Sequence, residues 1–202
     1  MKKILLTSVS VVMATFASNA AVRPYVSAHL GYTNPTTEIS DDYYNYTVTE
    51  AAGDEFAYDL SGAFGLKFDL SRDFALRGEV EYDYVEGFVY STFGVWQRSH
   101  TVLANAYLDF KTMTAFTPYF GIGAGYQFNH LSDNFWGIGS NTTPSAFAWQ
   151  IGGGIAYNIN NALSVDLGYR YLTSAKKYEE SGNHYKLVTD YSQFRLGVNY
   201  TF

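Results

Sequence analysis

The last ten residues of the chain place the strongest constraint on its fold. Counting back from Phe202, every second residue to Phe194 is apolar, and the residues between them are polar or glycine. This period of two is that of an extended strand with one apolar and one polar face. About ten tilted residues are enough for a strand to cross a bilayer, but a lone strand in lipid leaves its backbone polar groups unpaired. The segment therefore predicts a closed barrel, with partner strands elsewhere in the chain.

The amino terminus has the pattern of an export signal. Lys2 and Lys3 precede an apolar run over residues 4–17, and Ser18-Asn19-Ala20 form a small-x-small cleavage site. We predict a cleaved signal peptide over residues 1–20 and one barrel domain over residues 21–202. The alternative, an uncleaved membrane helix, fits less well because the run is short and interrupted by serine and threonine. No later stretch offers ~18 consecutive apolar residues, so any further crossing must use strands.

The amino-acid composition argues against several classes of protein. The formal net charge of −6 disfavours nucleic acid as a partner. The chain has no cysteine, so neither a disulfide framework nor a thiolate metal site is available. The 19 tyrosines, 15 phenylalanines and 18 glycines suit alternating strands with aromatic ends, although a soluble sandwich could have the same composition.

Alternation recurs along the chain in eight segments. They are residues 23–32, 58–69, 74–84, 99–110, 117–128, 146–159, 163–171 and 193–202. The connections alternate between long and short, and the long ones cover residues 33–56, 85–98, 129–145 and 172–190. This asymmetry is typical of outer-membrane barrels, and an even strand number returns both termini to the periplasm. We therefore predict an all-β fold: an eight-stranded antiparallel up-and-down transmembrane β-barrel with short periplasmic turns and four long extracellular loops.

Aromatic side chains at the strand ends predict the two edges of the membrane. The outer rim is expected to contain Tyr32, Tyr84, Tyr126 and Tyr171. The inner girdle is expected to contain Phe68, Phe74, Phe110, Tyr157 and Phe202.

The inward faces predict a polar interior network of four basic and five acidic residues. They are Lys67, Arg77, Glu79, Glu81, Asp83, Asp109, Asp166, Arg170 and Arg195. In a ring of eight, the third strand lies opposite the seventh, so its carboxylates can reach Arg170, with Arg195 beside it. Buried charges are tolerated when paired, and an eight-stranded interior is only wide enough to be filled by side chains, so we predict a plugged polar lumen. The alternative is a small pore or proton path. His29 is predicted to hydrogen-bond in the lumen rather than to bind a metal.

Four stretches resemble the eight-stranded outer-membrane barrel family, which includes the OmpA transmembrane domain, OmpX and the opacity-type surface proteins. They are residues 118–126, 147–154, 163–171 and the terminal Tyr200-Thr201-Phe202. The resemblance implies the outer membrane of a Gram-negative cell, with its lipid and lipopolysaccharide as surroundings. It also implies insertion by the barrel-assembly machinery, for which Tyr200 and Phe202 would be the assembly signal.

A short motif raises the question of catalysis. Lipid A deacylases, which are also small barrels, use a His-x-Ser pair with a nearby glutamate, and His130-Leu131-Ser132 resembles that pair. A hydrolytic serine needs a base, and the base needs an orienting acid. No acidic residue occurs from residue 134 to 165, so the partner expected on the sixth strand is absent. We predict no enzyme, no cofactor and no metal site, with a lipid hydrolase as the weakest alternative.

The first predicted loop is the best candidate for recognition. It is acidic, contains no basic residue, and includes Asp41, Asp42, Tyr43, Tyr44 and Tyr46. It lacks the spacing of a calcium loop, whereas tyrosine is enriched in recognition surfaces. We predict a structural or adhesive surface protein that contacts host or cell-surface ligands through its loops.

Overall fold

The structure is a computed structural model. It describes residues 22–41, 46–51, 57–90, 95–132, 145–180 and 183–202, and the side chains of part of these. The predicted signal peptide lies outside the described residues. Within them, no helix is long and apolar enough to cross a membrane.

The described residues form nine strands. They are β1 (Val22–Asp41), β2 (Tyr46–Ala51), β3 (Ala57–Asp69), β4 (Phe74–Tyr90), β5 (Val95–Phe110), β6 (Phe116–Ser132), β7 (Ser145–Asn158), β8 (Leu163–Glu180) and β9 (Asn183–Thr201). Short turns over residues 70–73, 111–115 and 159–162 lie at one end of the sheet, which we call the short-turn end. The opposite end, where β1, β4, β6 and β8 finish, is the hairpin end.

The sheet is closed by pairing of its first and last strands. From β3 to β9 each strand is antiparallel to its sequence neighbour, and β1 pairs with both β3 and β9. The closing register runs from Tyr25 opposite Thr201 to Asp41 opposite Tyr185. Closure leaves no unpaired edge between these strands, as a sheet in lipid requires. The predicted eight-stranded antiparallel barrel is confirmed.

The predicted division into two faces is confirmed along the barrel. On the terminal strand, Phe194, Leu196, Val198 and Tyr200 are 47–58% exposed, whereas Gln193, Arg195 and Asn199 are buried at 7% or less. The same inversion of the usual soluble pattern holds on the other strands wherever the structure describes their side chains. A sheet whose apolar residues point outward and whose polar residues point inward is suited to lipid around it.

The predicted long loops at the hairpin end are wrong in extent, because the strands continue well beyond the apolar segments. The first connection, predicted over residues 33–56, contains the end of β1 and all of β2, paired from Thr36 opposite Ala51 to Asp41 opposite Tyr46. The fourth connection, predicted over residues 172–190, is a hairpin of β8 and β9 with only residues 181–182 between the strands. The sequence of these extensions is mostly polar and lacks the apolar alternation of the membrane segments. Only the backbone pairing therefore identifies them as strands.

The extra strand β2 extends the second strand of the barrel. One edge of β1 pairs with β9 as far as Asp41, and the other edge pairs with β3 up to Thr33 and with β2 from Thr36. Because β2 and β3 occupy successive parts of the same edge, β2 adds height at the hairpin end and no circumference. The barrel keeps its eight-stranded cross-section.

Glycines on the inward faces allow neighbouring strands to approach each other closely at defined points. A β-carbon added at Gly125 on β6 would collide with the backbone carbonyl oxygen of Val102 on β5. A β-carbon added at Gly78 on the outward face of β4 would meet nothing within 4 Å. The close approach of β5 to β6 therefore requires glycine at residue 125, whereas the packing around residue 78 does not.

We expect Gly125→Ala to destabilise the barrel by about 1–3 kcal/mol, since backbone has to shift to relieve the overlap. Gly78→Ala is the matched control and is expected to leave stability unchanged or slightly raised. Urea unfolding in phospholipid vesicles measures both. Equal stability of the two variants would contradict the close packing of β5 against β6.

Candidate functional site

Arg170 on β8 reaches across the barrel interior to β4 on the opposite wall. Its Nη1 lies 2.9 Å from Oε2 of Glu81, and its Nη2 lies 2.7 Å from Oδ2 of Asp83. Its Nε donates to Oε1 of Gln193. These side chains are buried at 4% exposure or less. The bridge therefore spans the interior from wall to wall.

Arg195 on β9 links the same carboxylates to β3. Its Nη2 lies 2.6 Å from Oε1 of Glu81, and its Nε donates to Oδ2 of Asp59 at 3.1 Å. Asp59 also accepts a hydrogen bond of 2.9 Å from the hydroxyl of Thr33. The predicted set omits Asp59, which adds a sixth inward carboxylate. We call Asp59, Glu81, Asp83, Arg170 and Arg195 the arginine layer.

An apolar cluster lies next to the arginine layer on the side of the hairpin end. It consists of Ala57, Val85, Leu103, Ala148, Leu172 and Tyr191, all buried. Val85 and Leu172 lie two residues beyond Asp83 and Arg170 on the same inward faces. We call this set the apolar layer. Leu172 was expected in a loop, and Tyr191 just outside the predicted terminal strand, so the sequence does not predict this layer.

Glu79 lies on the other side of the arginine layer and is held by neutral donors. The hydroxyl of Tyr25 donates to Oε2 of Glu79 at 2.6 Å. The amide of Asn105 donates to Oε1 of Glu79 at 3.1 Å and to Oε2 of Glu81 at 2.7 Å. Gln150 in turn donates to Oδ1 of Asn105 at 3.0 Å. A continuous hydrogen-bond network thus connects β1, β4, β5 and β7.

Arg77 fills the interior nearer the short-turn end. Its Nε lies 2.9 Å from Oδ1 of Asp109, whose Oδ2 lies 3.0 Å from Nζ of Lys67. Its guanidinium carbon lies 5.8, 4.8 and 5.0 Å from the ring centres of Tyr25, Tyr107 and Tyr119. Such cation–π contacts stabilise a desolvated guanidinium. The interior therefore contains a second charged layer of different construction.

A cavity of about 30 Å³ lies in the interior, with Arg77 and Arg170 both in its lining. This volume has room for about two water molecules. His29 and Asp166 also line it, with His29 Nε2 3.5 Å from Asp166 Oδ2. The hydroxyl of Tyr119 donates to Oδ1 of Asp166 at 2.8 Å. Within the described residues, no group of three or more metal-ligating side chains surrounds it or any other point.

An ion-pair cluster joins three elements at the short-turn end. Oδ2 of Asp69 lies 2.7 Å from Nη2 of Arg23, and Oδ1 lies 2.5 Å from Nζ of Lys111. Partial burial raises the pKa of Asp69, but the hydrogen bond from Lys111 and the charge of Arg23 outweigh it, so the pKa lies below its usual value. The cluster ties β1 to β3 and to the turn after β5.

We expect Asp69→Asn to destabilise the barrel at neutral pH and to have no effect in strong acid. Because the folded-state pKa is lowered, the stabilisation is complete above the unfolded value of about 3.9 and is lost as pH falls through the folded value. Urea unfolding at pH 7 and near pH 2 measures the difference from wild type. Asp73→Asn, in the exposed turn nearby, is the matched control. A pH-independent loss would contradict an electrostatic role.

Glu86, on the outward face at the hairpin end, bears on the hydrolase alternative. Its Oε2 accepts a hydrogen bond of 2.7 Å from the hydroxyl of Tyr58, and its Oε1 lies 3.0 Å from Nε of Arg98. In the β5–β6 register Arg98 is opposite His130, so Glu86 lies two strands, about 10 Å, from that backbone. The side chains of His130 and Ser132 lie outside the described residues. The acidic residue that was expected on β7 and is absent there thus has a candidate substitute in Glu86 on β4. The carboxylate of Glu86, however, already accepts a hydrogen bond from Tyr58 and pairs with Arg98.

The predicted recognition residues fall at the tip of the first hairpin. Asp41 ends β1, Tyr46 begins β2, and their backbones are paired. Asp42, Tyr43 and Tyr44 lie outside the described residues. The structure therefore fixes where this segment leaves and rejoins the barrel.

The terminal aromatics lie on the outward face at the short-turn end. Tyr200 and Phe202 are 47% and 67% exposed, with ring centres 5.1 Å apart. The backbone N–H of Phe202 donates to the carbonyl oxygen of Pro24 at 2.9 Å, which holds the last residue against β1. Their role as an assembly signal remains a prediction.

Comparison with known proteins assigns the family. A sequence profile of the outer membrane protein β-barrel domain matches residues 4–202. The chain belongs to the outer membrane protein β-barrel family. It is an outer-membrane protein, so the short-turn end faces the periplasm and the hairpin end faces outward.

This outer-membrane barrel is similar in sequence to the outer membrane protein PagN of Salmonella typhimurium. The two are 33% identical over 174 residues, which cover 74% of this chain and 72% of PagN. In fold it is similar to the Neisserial surface protein NspA, with a TM-score of 0.53 and 18% identity over 90% of this chain and 99% of NspA. The outer membrane enzyme PagL has a TM-score of 0.52 and 16% identity over 87% of this chain and 98% of PagL. The last two likenesses concern the fold alone.

Proposed function

We propose that this protein is a non-conducting barrel that anchors a contact surface on the outside of the cell. The observation that carries the proposal is the contrast between the two parts of the barrel. Its interior is crossed by buried ion pairs and packed apolar side chains. Its strands continue, still paired, beyond the band of outward-facing apolar residues, which we call the apolar belt. From Tyr32 to Asp41, β1 adds nine residues, or roughly 30 Å of strand along its own direction.

The buried layers argue against a solute path. The arginine layer closes with charge pairs at 2.6–3.1 Å, and the apolar layer lies directly outside it. An ion would have to displace buried charges and then pass through apolar packing, both of which are costly. The plugged lumen therefore supports an anchoring role over a pore.

The outer hairpins support a role in contact. A closed barrel below and paired strands above would hold the described strand ends, such as Asp41 and Tyr46, at a fixed height over the lipid surface. The tip of the first hairpin combines Asp41 and Asp42 with Tyr43, Tyr44 and Tyr46. Tyrosine gives a large contact area at low entropic cost, so this tip is the best candidate for attachment to a host or neighbouring cell surface.

An exchange of hairpin tips tests the contact surface. Residues 42–45 are replaced by a glycine-serine linker of equal length, and residues 91–94 are replaced in the same way as the matched control. Attachment of bacteria to cells and to extracellular matrix is measured at equal surface amount of each variant. We expect the first exchange to reduce attachment several-fold and the second to leave it near the wild-type value. Unchanged attachment after the first exchange would contradict the role of this tip.

A separate measurement addresses hydrolysis of membrane lipid. We expect lipid A from cells that produce the protein to keep all of its acyl chains. Loss of an acyl chain that Ser132→Ala abolishes would instead assign a surface lipid hydrolase.

A further inference from the structure

Three buried side chains that carry oxygen atoms lie in one row across three strands. In the register, Asp83 on β4 is opposite Thr101 on β5, and Thr101 is opposite Gln127 on β6. All three side chains are 0% exposed and belong to inward faces. Among the described residues, no hydrogen bond reaches Thr101 Oγ1 or Gln127 Oε1, whereas Asp83 has ionic contacts: its Oδ2 lies 2.7 Å from Arg170 Nη2 and its Oδ1 lies 3.9 Å from Arg195 Nη2. The amide nitrogen of Gln127 is already used, since it donates to the hydroxyl of Ser99 at 2.5 Å.

The arginine layer around this row carries an excess of negative charge. Asp59, Glu81 and Asp83 are three carboxylates, whereas Arg170 and Arg195 supply two positive charges. The nearest other interior cations are accounted for elsewhere. The two positive charges of Arg77 and Lys67 are balanced by the two negative charges of Asp109 and Glu79. The described hydrogen-bond donors to Glu79 are Tyr25 and Asn105, which are neutral and add no charge. One negative charge therefore remains uncompensated in a buried layer, where such a charge is costly.

We propose that Asp83, Thr101 and Gln127 bind a monovalent cation such as Na⁺ inside the barrel. A carboxylate, a hydroxyl and an amide carbonyl are the oxygen ligands that hard cations prefer. A single positive charge at this row neutralises the arginine layer and gives Thr101 Oγ1 and Gln127 Oε1 a partner. The second carboxylate that a divalent ion would favour is absent from the row. Both oxygens of Glu81 and of Asp59 have close partners, whereas Oδ1 of Asp83 has the long contact of 3.9 Å with Arg195.

The site is occluded, so its effect is on stability. All three side chains are fully buried, with Val85 two residues beyond Asp83 toward the hairpin end and Leu103 two residues from Thr101 toward the short-turn end, on the same inward faces. A cation that binds the folded barrel and not the unfolded chain shifts the folding equilibrium by mass action. Above its dissociation constant, the ratio of folded to unfolded protein rises up to tenfold for each tenfold rise in cation concentration.

Urea unfolding of the full chain in phospholipid vesicles tests the site, with the fluorescence of lipid-facing Trp149 as the signal. Na⁺ is varied against the bulky cation N-methylglucamine at constant ionic strength, so that screening stays the same. The variants are Thr101→Val, which removes one ligand at nearly constant shape, and Asp83→Asn. Ser27→Ala is the matched control, because the hydroxyl of Ser27 is also buried without a hydrogen-bond partner among the described residues but lies on β1.

We expect Na⁺ to stabilise the wild type and Ser27→Ala to the same degree, and to have a much smaller effect on Thr101→Val and Asp83→Asn. A wild type that does not distinguish Na⁺ from N-methylglucamine would overturn the proposal. So would an undiminished Na⁺ response in Thr101→Val. If stability instead responds to pH alone, a proton on Asp83 balances the charge and the cation site does not exist.

Discussion

Replacing Arg195 by methionine is expected to lower the free energy of unfolding by about 3–5 kcal/mol, because it leaves buried carboxylates without their counter-charge. Arg195 is 6% exposed and pairs with Asp59 and Glu81, both of which are 0% exposed. The loss of hydrophobic contact is small, since methionine keeps most of the aliphatic stem. The cost therefore measures the ion pairs rather than a cavity.

Two further variants separate this effect from general damage. Arg98→Met removes an arginine–glutamate pair of similar length, 3.0 Å, at an exposed position, and is expected to change stability little. Adding Glu81→Gln to Arg195→Met is expected to restore part of the loss, because one of the unpaired charges is removed. Urea unfolding in vesicles measures all of them. If Arg195→Met and Arg98→Met have equal stability, the arginine layer does not support the barrel.

Replacing Val80 by arginine is expected to destabilise the barrel by about 2–4 kcal/mol, the cost of arginine at the bilayer midplane on the lipid face. Val80 is 60% exposed and lies on the outward face of β4, midway between Phe74 and Tyr84. In a water-soluble protein an exposed valine would accept arginine at a cost within about 0.5 kcal/mol. The size of the effect thus reports whether this face meets lipid or water.

Met113→Arg is the matched control for the lipid face. Met113 is fully exposed in the turn over residues 111–115, outside the apolar belt. We expect this variant to fold with wild-type stability in the same vesicles. Equal effects of arginine at both positions would contradict a bilayer around the outward face.

The barrel itself can be predicted from the sequence because side-chain direction in a strand has a period of two. On β4, placing Val80 outward necessarily places Glu79 and Glu81 inward, and the neighbouring strands repeat the same choice. The ring order then brings Arg170 opposite the carboxylates of β4. No side-chain geometry is needed for either step.

The height of the hairpin end cannot be predicted in this way. Beyond the bilayer the outward face no longer has to be apolar, so the alternation that identifies a membrane strand stops while backbone pairing continues. Thr36 to Asp41 pair with β2 on one edge and with β9 on the other, yet their sequence is that of a polar loop. The apolar layer is missed for the same reason, since Leu172 and Tyr191 lie just past the last strongly alternating residues.

Other parts of the interior depend on partners that the sequence does not identify. Asp59 lies within a predicted strand and on its inward face, so continuing the alternation by one step would have found it. The contacts of Arg77 with three tyrosines from β1, β5 and β6 depend on side-chain packing across the ring. Which oxygen atoms lack donors, as at Thr101, also follows only from the packed structure.

Single-channel recording of the purified protein in planar lipid bilayers tests most directly whether the interior is sealed. With buried ion pairs and an apolar layer across the lumen, we expect a baseline without steps at either polarity. Steady openings of reproducible size from the wild-type barrel would contradict it.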